Sequence, residues 1–310
     1  MEELIKSKLH SDAQILKEIS FYLLELGGKR IRPAICLISA KALRGNNNNS
    51  KLIQIAAGIE LIHMATLLHD DIIDKSKIRR HKSSPLKKYG ANSTLLAGDF
   101  LLVRAFSLCS KLDPYIIEKT EQACVDLTEG EVLELPLYQE KHSTESSLHI
   151  AKKKTASLFR LACESAAFLC CDDKKIIEYM SHFGENIGMA FQVLDDILDV
   201  TSNEEILGKE PGADIRERKP SLVNVLWLES GDKLAEKLLS EPDDDIFYVE
   251  RALMQLRNSE VIRAAKNIAN RYLNTALDFL NYIENNHRNI DTQALGALKG
   301  LAEYCSQRME

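Results

Sequence analysis

The chain has 310 residues, 45% of them hydrophobic, with a formal net charge of −6 and seven cysteines. This apolar content supplies a sizeable core and excludes global disorder, while the negative balance excludes nucleic acid as the main partner, because phosphate backbones select strongly basic faces. An odd cysteine count without paired spacing fits a reducing compartment, so a cytoplasmic location is expected.

Met1–Gln14 lacks the apolar h-region of a signal peptide, and no run approaches the roughly 20 apolar residues of a bilayer span, so no transmembrane segment is expected. Two glycines then precede a cluster of cations in Gly27-Gly28-Lys29-Arg30-Ile31-Arg32. Gly45 and Asn46–Asn49 read as a connector. The first long helix, predicted over Ile53–His69, is apolar on nearly every face and closes on Asp70-Asp71-Ile72-Ile73-Asp74. Arg79-Arg80 follows one short loop later, and Ser83-Ser84-Pro85 breaks the chain again. Helical periodicity returns over Ala91–Leu112, Tyr115–Tyr138, Leu148–Leu169 and Lys174–Val200, separated by breaks at Asp113-Pro114 and Lys141–Ser147. The third of these carries Lys152-Lys153-Lys154-Thr155, and the last closes on Asp195-Asp196-Ile197-Leu198-Asp199. A further break falls at Glu241–Asp245. Alternating strand patterns of useful length, internal repeats and dividing linkers are absent. Helices that are apolar all round, Ile53–His69 and Phe183–Val200, belong in the middle of a bundle. The expectation is one all-α domain over residues 1–310 with two central helices.

The aspartates that close these two helices are the residues hardest to explain structurally. At about 100° per residue, Asp70 and Asp74 share one helix face, as do Asp195 and Asp199. Aspartates four apart with no lysine between them repel, and burial without counter-charge costs more still. One Asp-Asp-x-x-Asp reads equally well as a solvated helix end; two, 125 positions apart, both closing apolar helices, point to a hard, oxygen-seeking cation. Mg²⁺ fits, since it binds through a few carboxylates plus substrate phosphates. Zinc lacks Cys or His at ligand spacing, His69 being turned about 100° from Asp70, and an EF-hand loop is missing. The clusters at Lys29–Arg32, Arg79-Arg80 and Lys152–Lys154 supply cations for anionic substrates; with two metal-type aspartate sets they suit two diphosphates, one held through metal and one by cations alone.

In order and spacing these residues resemble the trans-isoprenyl diphosphate synthases, the polyprenyl synthetase family, from about Leu26 to Leu228. The likeness is carried by Gly27-Gly28-Lys29-Arg30-Ile31-Arg32-Pro33, Glu60-Leu61-Ile62-His63, both Asp-Asp-x-x-Asp motifs, Arg79-Arg80, Lys154-Thr155-Ala156-Ser157-Leu158-Phe159, Phe191-Gln192 and Leu207-Gly208-Lys209. The resemblance implies an isoprenoid-synthase helical bundle around a deep active-site cavity. It implies a prenyltransferase joining isopentenyl diphosphate head to tail to an allylic diphosphate (geranyl, farnesyl or geranylgeranyl). Gly28, Lys29, Arg32, His63 and Arg80 would hold isopentenyl diphosphate without metal. Arg79, Lys154, Thr155, Gln192, Lys209 and Lys219 would surround the allylic diphosphate, with Lys154 also catalytic. Asp70, Asp74 and Asp195 would be the principal Mg²⁺ ligands, with Asp71, Asp196 and Asp199 binding directly or through water, to three ions when substrate is bound. Ala65 and Thr66, small where short-chain enzymes often carry rings, imply an all-trans product of thirty carbons or longer, for a quinone side chain. A homodimer is implied, or the catalytic half of a heteromer. One departure stands out: relatives usually read Gly-Lys-x-Thr-Leu-Pro where this chain has Arg218-Lys219-Pro220-Ser221-Leu222-Val223, so the turn around Lys219 must differ. A short-chain farnesyl or geranylgeranyl diphosphate synthase remains an alternative. A terpene cyclase needs no second diphosphate site, and a regulatory subunit typically loses aspartates that are all kept here.

Overall fold

The computed structural model describes residues 1–45, 49–203, 210–240 and 247–307. Their backbone is helical almost throughout, as the periodicity predicts. The chain forms two compact units. The first comprises residues 1–124, 161–178 and 287–295; the second comprises 125–160, 179–286 and 296–310.

In the first unit, helix α1 (Glu2–Lys8), α2 (Gln14–Glu25) and α3 (Ile31–Ala42) lead to α4 (Ser50–Ile73), which packs along α6 (Ala91–Cys109) and against α3. Asn49 starts α4 by accepting a hydrogen bond from the Lys51 N–H at 2.9 Å. Ile55, Ile59, Leu61, Ile62 and Leu68 are fully buried along α4, each burial contributing about 1.5–3 kcal/mol. Helix α4 runs four residues beyond the predicted His69, so Asp70 and Asp71 lie inside its last turn and Asp74 is its C-cap. It is also long and apolar enough to cross a membrane, contrary to the sequence expectation, yet two thirds (67%) of its most apolar window is buried inside the protein. Packing against α6 and α3 accounts for that apolarity.

A short antiparallel hairpin, β1 (Ile78–Arg79) with β2 (Lys82–Ser83), follows α4 and was not anticipated. Its two turn residues, Arg80 and His81, both have positive φ, 51° and 62°. A two-residue hairpin turn demands this geometry, normally from Asn-Gly, and here it is imposed on two bulky side chains.

The second unit begins within α7 (Pro114–Leu133), which ends five residues before the predicted Tyr138 because Pro136 cannot continue it. After α8 (Thr144–Ala151), begun by a Ser143–Ser146 capping box, one π-helical turn (Lys152–Ala156) precedes α9 (Ser157–Cys170). The sequence reads this stretch as one uniform helix. Helix α10 (Lys174–Thr201) carries the second aspartate set in its last two turns. The helices Leu222–Glu229 and Glu260–Asn286 pack together in the same unit. None of the seven cysteines is joined in a disulfide.

Candidate active site

Asp70, Asp71, Asp74 and Asp199 sit in or beside the last turn of their helices, the negative end of the helix dipole, where a carboxylate costs about 0.3–1 kcal/mol; Asp195 and Asp196 lie one turn further in. Placement against the dipole strengthens the case for a counter-cation beyond what spacing alone provides. In the first unit, Asp71 is fully buried, and its Oδ1 accepts from Arg79 Nε at 2.8 Å and Nη2 at 2.7 Å. Its Oδ2 is buried with no hydrogen-bond donor, an arrangement that costs about 1–3 kcal/mol. Burial raises the Asp71 pKa above the usual carboxylate range and Asp74 adds to this, with Arg79 opposing. Asp70 and Asp74 are half-buried beside it. An orphaned carboxylate oxygen next to two further aspartates fits a divalent cation. His69 faces Leu95 and Asp99, both at 3.4 Å, as expected for a residue outside the metal set.

The cation group predicted for isopentenyl diphosphate is brought together in this same unit. Gly28 has a φ of 140°, a conformation that favours glycine, and a Cβ there would lie 2.9 Å from the Arg80 guanidinium nitrogens, so any side chain would push that guanidinium aside. Arg32 Nη1 lies 3.3 Å from His63 Nε2. Arginine has no acceptor, so Nε2 accepts and the His63 proton sits on Nδ1. Burial, joined by the charges of Arg32, Arg80, Arg79 and Arg30, holds His63 well below the usual imidazole range, hence neutral. Buried Glu60 anchors Arg30 at 2.6 Å. Lys29 is exposed at the edge of the group. Ala65, the expected length determinant, is fully buried, whereas half-buried Thr66 sits about 40° from Asp70 around the helix and Ala65 about 140°.

The second unit contains a cleft of about 140 Å³ lined by Glu134, Lys154, Gln192, Asp196, Asp214 and Lys219, among others. The π-helical turn presents Lys154 and Thr155 side by side, the setting in which such turns commonly occur. Gly130 of α7 and Gly188 of α10 press on this turn: a Cβ on either would meet its backbone, at 2.9 Å from Lys154 N and 2.6 Å from Ala156 Cα. Behind the cleft, Lys153 is bound by Asp126 at 3.0 Å and Glu129 at 2.5 Å, and Arg160 by Asp126 at 3.0 Å. Inside it, Thr155 Oγ1 donates to Gln192 Oε1 at 2.5 Å, and Gln192 Nε2 donates to Asp196 Oδ1 at 2.8 Å. Asp196 Oδ2 accepts from the Leu222 N–H at 2.8 Å, and Asp199 Oδ2 from the Asp214 N–H at 3.1 Å. Asp196 and Asp199 are buried and Asp195 is exposed. Burial, with Asp214 alongside, pushes the Asp196 pKa well above the usual range, a charge a cation would offset.

Lys219 reaches this cleft despite its altered turn, with Arg218 adopting a φ of 55° and its carbonyl accepting from the Leu137 N–H at 2.9 Å. Lys209 lies outside the described residues. Among the described residues no three acidic, His or Cys side chains form a ready-made metal cage, which suits an ion completed by substrate phosphates. Glu131, Glu134 and Asp214 are the site residues the sequence did not flag; nothing local distinguishes them from ordinary surface acids.

Residues 13–255 match the polyprenyl synthetase family. The all-trans-nonaprenyl-diphosphate synthase (geranyl-diphosphate specific) of Rhodobacter capsulatus is 39% identical over 224 residues, covering 72% of this chain and 68% of its own length. The geranylgeranyl diphosphate synthase of Methanosarcina mazei is 35% identical over 265 residues, covering 83% and 81%. Among solved structures, the polyprenyl synthase of Caulobacter crescentus CB15, complexed with calcium and isoprenyl diphosphate, superimposes with a TM-score of 0.91 at 31% identity, covering 100% of this chain and 94% of that one. With this fold, these ordered motifs and these relatives, the chain belongs to the polyprenyl synthetase family and is a prenyltransferase that condenses isopentenyl diphosphate with an allylic diphosphate.

Proposed function

We propose that the chain is a Mg²⁺-dependent synthase of long-chain all-trans polyprenyl diphosphates, working as one catalytic domain over residues 1–310. One observation carries this reading: in each unit an acidic helix end is matched by its own cation group. Asp70, Asp71 and Asp74 accompany Arg79, Arg80, Arg32 and His63 in the first; Asp195, Asp196 and Asp199 accompany Lys154 and Lys219 in the second. Two anion sites suit two diphosphate substrates, where a terpene cyclase needs one.

Lys29, Arg32, His63 and Arg80 hold isopentenyl diphosphate at Gly28. Arg79, Lys154, Thr155, Gln192, Lys209 and Lys219 surround the allylic diphosphate. Mg²⁺, three ions with substrate bound, would be held by Asp70, Asp74 and Asp195 with Asp71, Asp196 and Asp199, and would supply charge stabilisation to the departing diphosphate. The Lys154 ammonium donates to the same leaving oxygens as the allylic C–O bond breaks, a preorganised charge that needs no reorganisation at that moment. Apolar walls keep water from the allylic cation while the isopentenyl double bond attacks it. The released diphosphate then takes the proton lost from the new chain.

Product length rests on Ala65 and Thr66, because the relatives include both nonaprenyl and geranylgeranyl synthases. Ala65 precedes Asp70 by five residues, about 7.5 Å along the helix and about 140° around it, so a tail held at the aspartates runs beside Thr66, and only a large ring at Ala65 would reach its path. Cysteines without disulfides support a cytoplasmic enzyme. Leu95, Leu96, Val103 and Phe106 are exposed on α6 and support a homodimer. The test is incubation with labelled isopentenyl diphosphate and geranyl, farnesyl or geranylgeranyl primers, followed by product sizing. The wild type should reach thirty carbons or more, and Ala65→Tyr should stop at fifteen or twenty. Overpacking there costs about 1–3 kcal/mol, so a thermal melt accompanies the assay. A folded Ala65→Tyr enzyme that still makes the wild-type length rules out this ruler.

A further inference from the structure

Glu134 is bound to both lysines of the allylic site. Its Oε2 lies 2.5 Å from Lys154 Nζ and 4.0 Å from Lys219 Nζ. That single oxygen therefore sits where an oxygen of a bound diphosphate must sit to touch both ammonium groups. Each lysine also has another carboxylate, Glu131 for Lys154 at 2.7 Å and Glu217 for Lys219 at 3.0 Å. Glu134 can leave without either ammonium losing its orientation. The residue itself lies just past the end of α7 and two residues before Pro136, where its backbone keeps a hydrogen bond from its N–H to the Glu131 carbonyl at 3.2 Å. With Asp196 and Asp214 also lining the cleft, a diphosphate entering while Glu134 stayed in place would face three carboxylates across two lysines.

We infer that Glu134 is an internal competitor for the diphosphate: its carboxylate and the allylic diphosphate exchange places on Lys154 and Lys219, setting substrate affinity and helping inorganic pyrophosphate to leave. This rests on the allylic assignment of Lys154 and Lys219 made above. The carboxylate does no chemistry on the substrate; it sets how tightly the lysines are available, and its negative charge is the property that matters.

The test is a calorimetric titration of inorganic pyrophosphate without metal, alongside steady-state kinetics with Mg²⁺, on wild type, Glu134→Gln and Glu131→Gln. Glu134→Gln should tighten pyrophosphate binding about five- to tenfold and lower the KM for the allylic diphosphate by a similar factor, leaving the KM for isopentenyl diphosphate unchanged. Glu131→Gln, which touches only one of the two lysines, should shift either constant less than about twofold. Glu134→Ala, which also removes the charge, substitutes if the glutamine variant melts early. Unchanged or weaker pyrophosphate binding in a folded Glu134 variant overturns the inference, as does equal tightening in Glu131→Gln; a merely structural brace would give the weaker binding. If wild type transfers no prenyl group, the proposed function falls, whereas the metal-free titration still decides the role of Glu134.

Discussion

Around His63 the first unit gathers four guanidinium groups, and around Lys154 the second gathers ammonium and carboxylate groups in near balance. Arg30 and Arg79 each bond a carboxylate, Arg32 donates to a neutral imidazole, and Arg80, beside Gly28, feels the buried Glu60 through space. Crowding among these cations lowers the Arg80 pKa, with burial as the larger cause. An anion arriving there relieves repulsion among four guanidinium groups that share Glu60 and Asp71. At Lys154 and Lys219 part of the attraction is already spent on Glu134, which reaches both, so an anion arriving there exchanges one partner for another. Two sites for the same chemical group can thus differ in reserve: one binds mainly by adding charge pairs, the other by swapping one. Under the proposed assignment, the swapping site is the one where a bond must break and a product must depart.

Three experiments press on that contrast. The largest effect is expected from the aspartates, which both units share. Chelating Mg²⁺ should abolish turnover, and Asp70→Ala and Asp195→Ala should each lower kcat about 10³-fold or more. A near-normal rate in either variant at saturating Mg²⁺ would remove that unit from the mechanism and end the comparison.

A smaller and more discriminating effect separates the cations. Lys154→Ala should lower kcat about 10²-fold, because its ammonium acts as the allylic bond breaks. Arg32→Ala should leave kcat nearly intact and raise the KM for isopentenyl diphosphate about tenfold. Finding the two assignments reversed in steady-state kinetics would show that the substrates are exchanged between the units.

The smallest effect is on stability. His63 is held below its ordinary pKa of about 6.5, so on acidification the unfolded chain takes up a proton that the folded site resists. Stability from this group is therefore complete above that value and declines as pH falls below it. His63→Gln should flatten the drop in melting temperature between pH 7.5 and 5.5. Bound isopentenyl diphosphate, whose negative charge favours imidazolium, should flatten it too. Parallel melting curves for wild type and variant would mean that His63 is not shielded from protonation by the arginines.

The aspartate sets stand out in the sequence because they are written locally: two aspartates four apart on an apolar helix are unusual at any position in any fold. Of the cation group, the paired glycines before Lys29 are the legible part, since Gly27 and Gly28 both take positive φ. Glu131, Glu134 and Asp214 were not legible, because an acid on a helix end is ordinary until tertiary packing sets a lysine against it. The hairpin at Ile78–Ser83 escaped notice because Arg80-His81 lacks the Asn-Gly signature of its turn. Helix α7 was drawn too long because Leu135, Leu137 and Tyr138 prolong its apolar pattern past Pro136. Helix α4 was drawn too short because Asp70 and Asp71 look like an ending, although the backbone hydrogen bonds run through them.

The π-helical turn at Lys152–Ala156 is an α-helix carrying one residue more than its ladder needs. Removing any one of those five residues would let the backbone close into regular α-helix, and the helix as such would improve. Because the turn absorbs that residue locally, the helices on either side would keep their register, and only the residues of the turn would be re-aimed. Lys154 and Thr155 would then lose the placement that sets them against Glu134 and Gln192. Length variation accumulates in exposed connections, where an added or lost residue alters little. In this helix the usual relation is inverted: a single-codon deletion that regularises the backbone should leave the fold standing and remove activity.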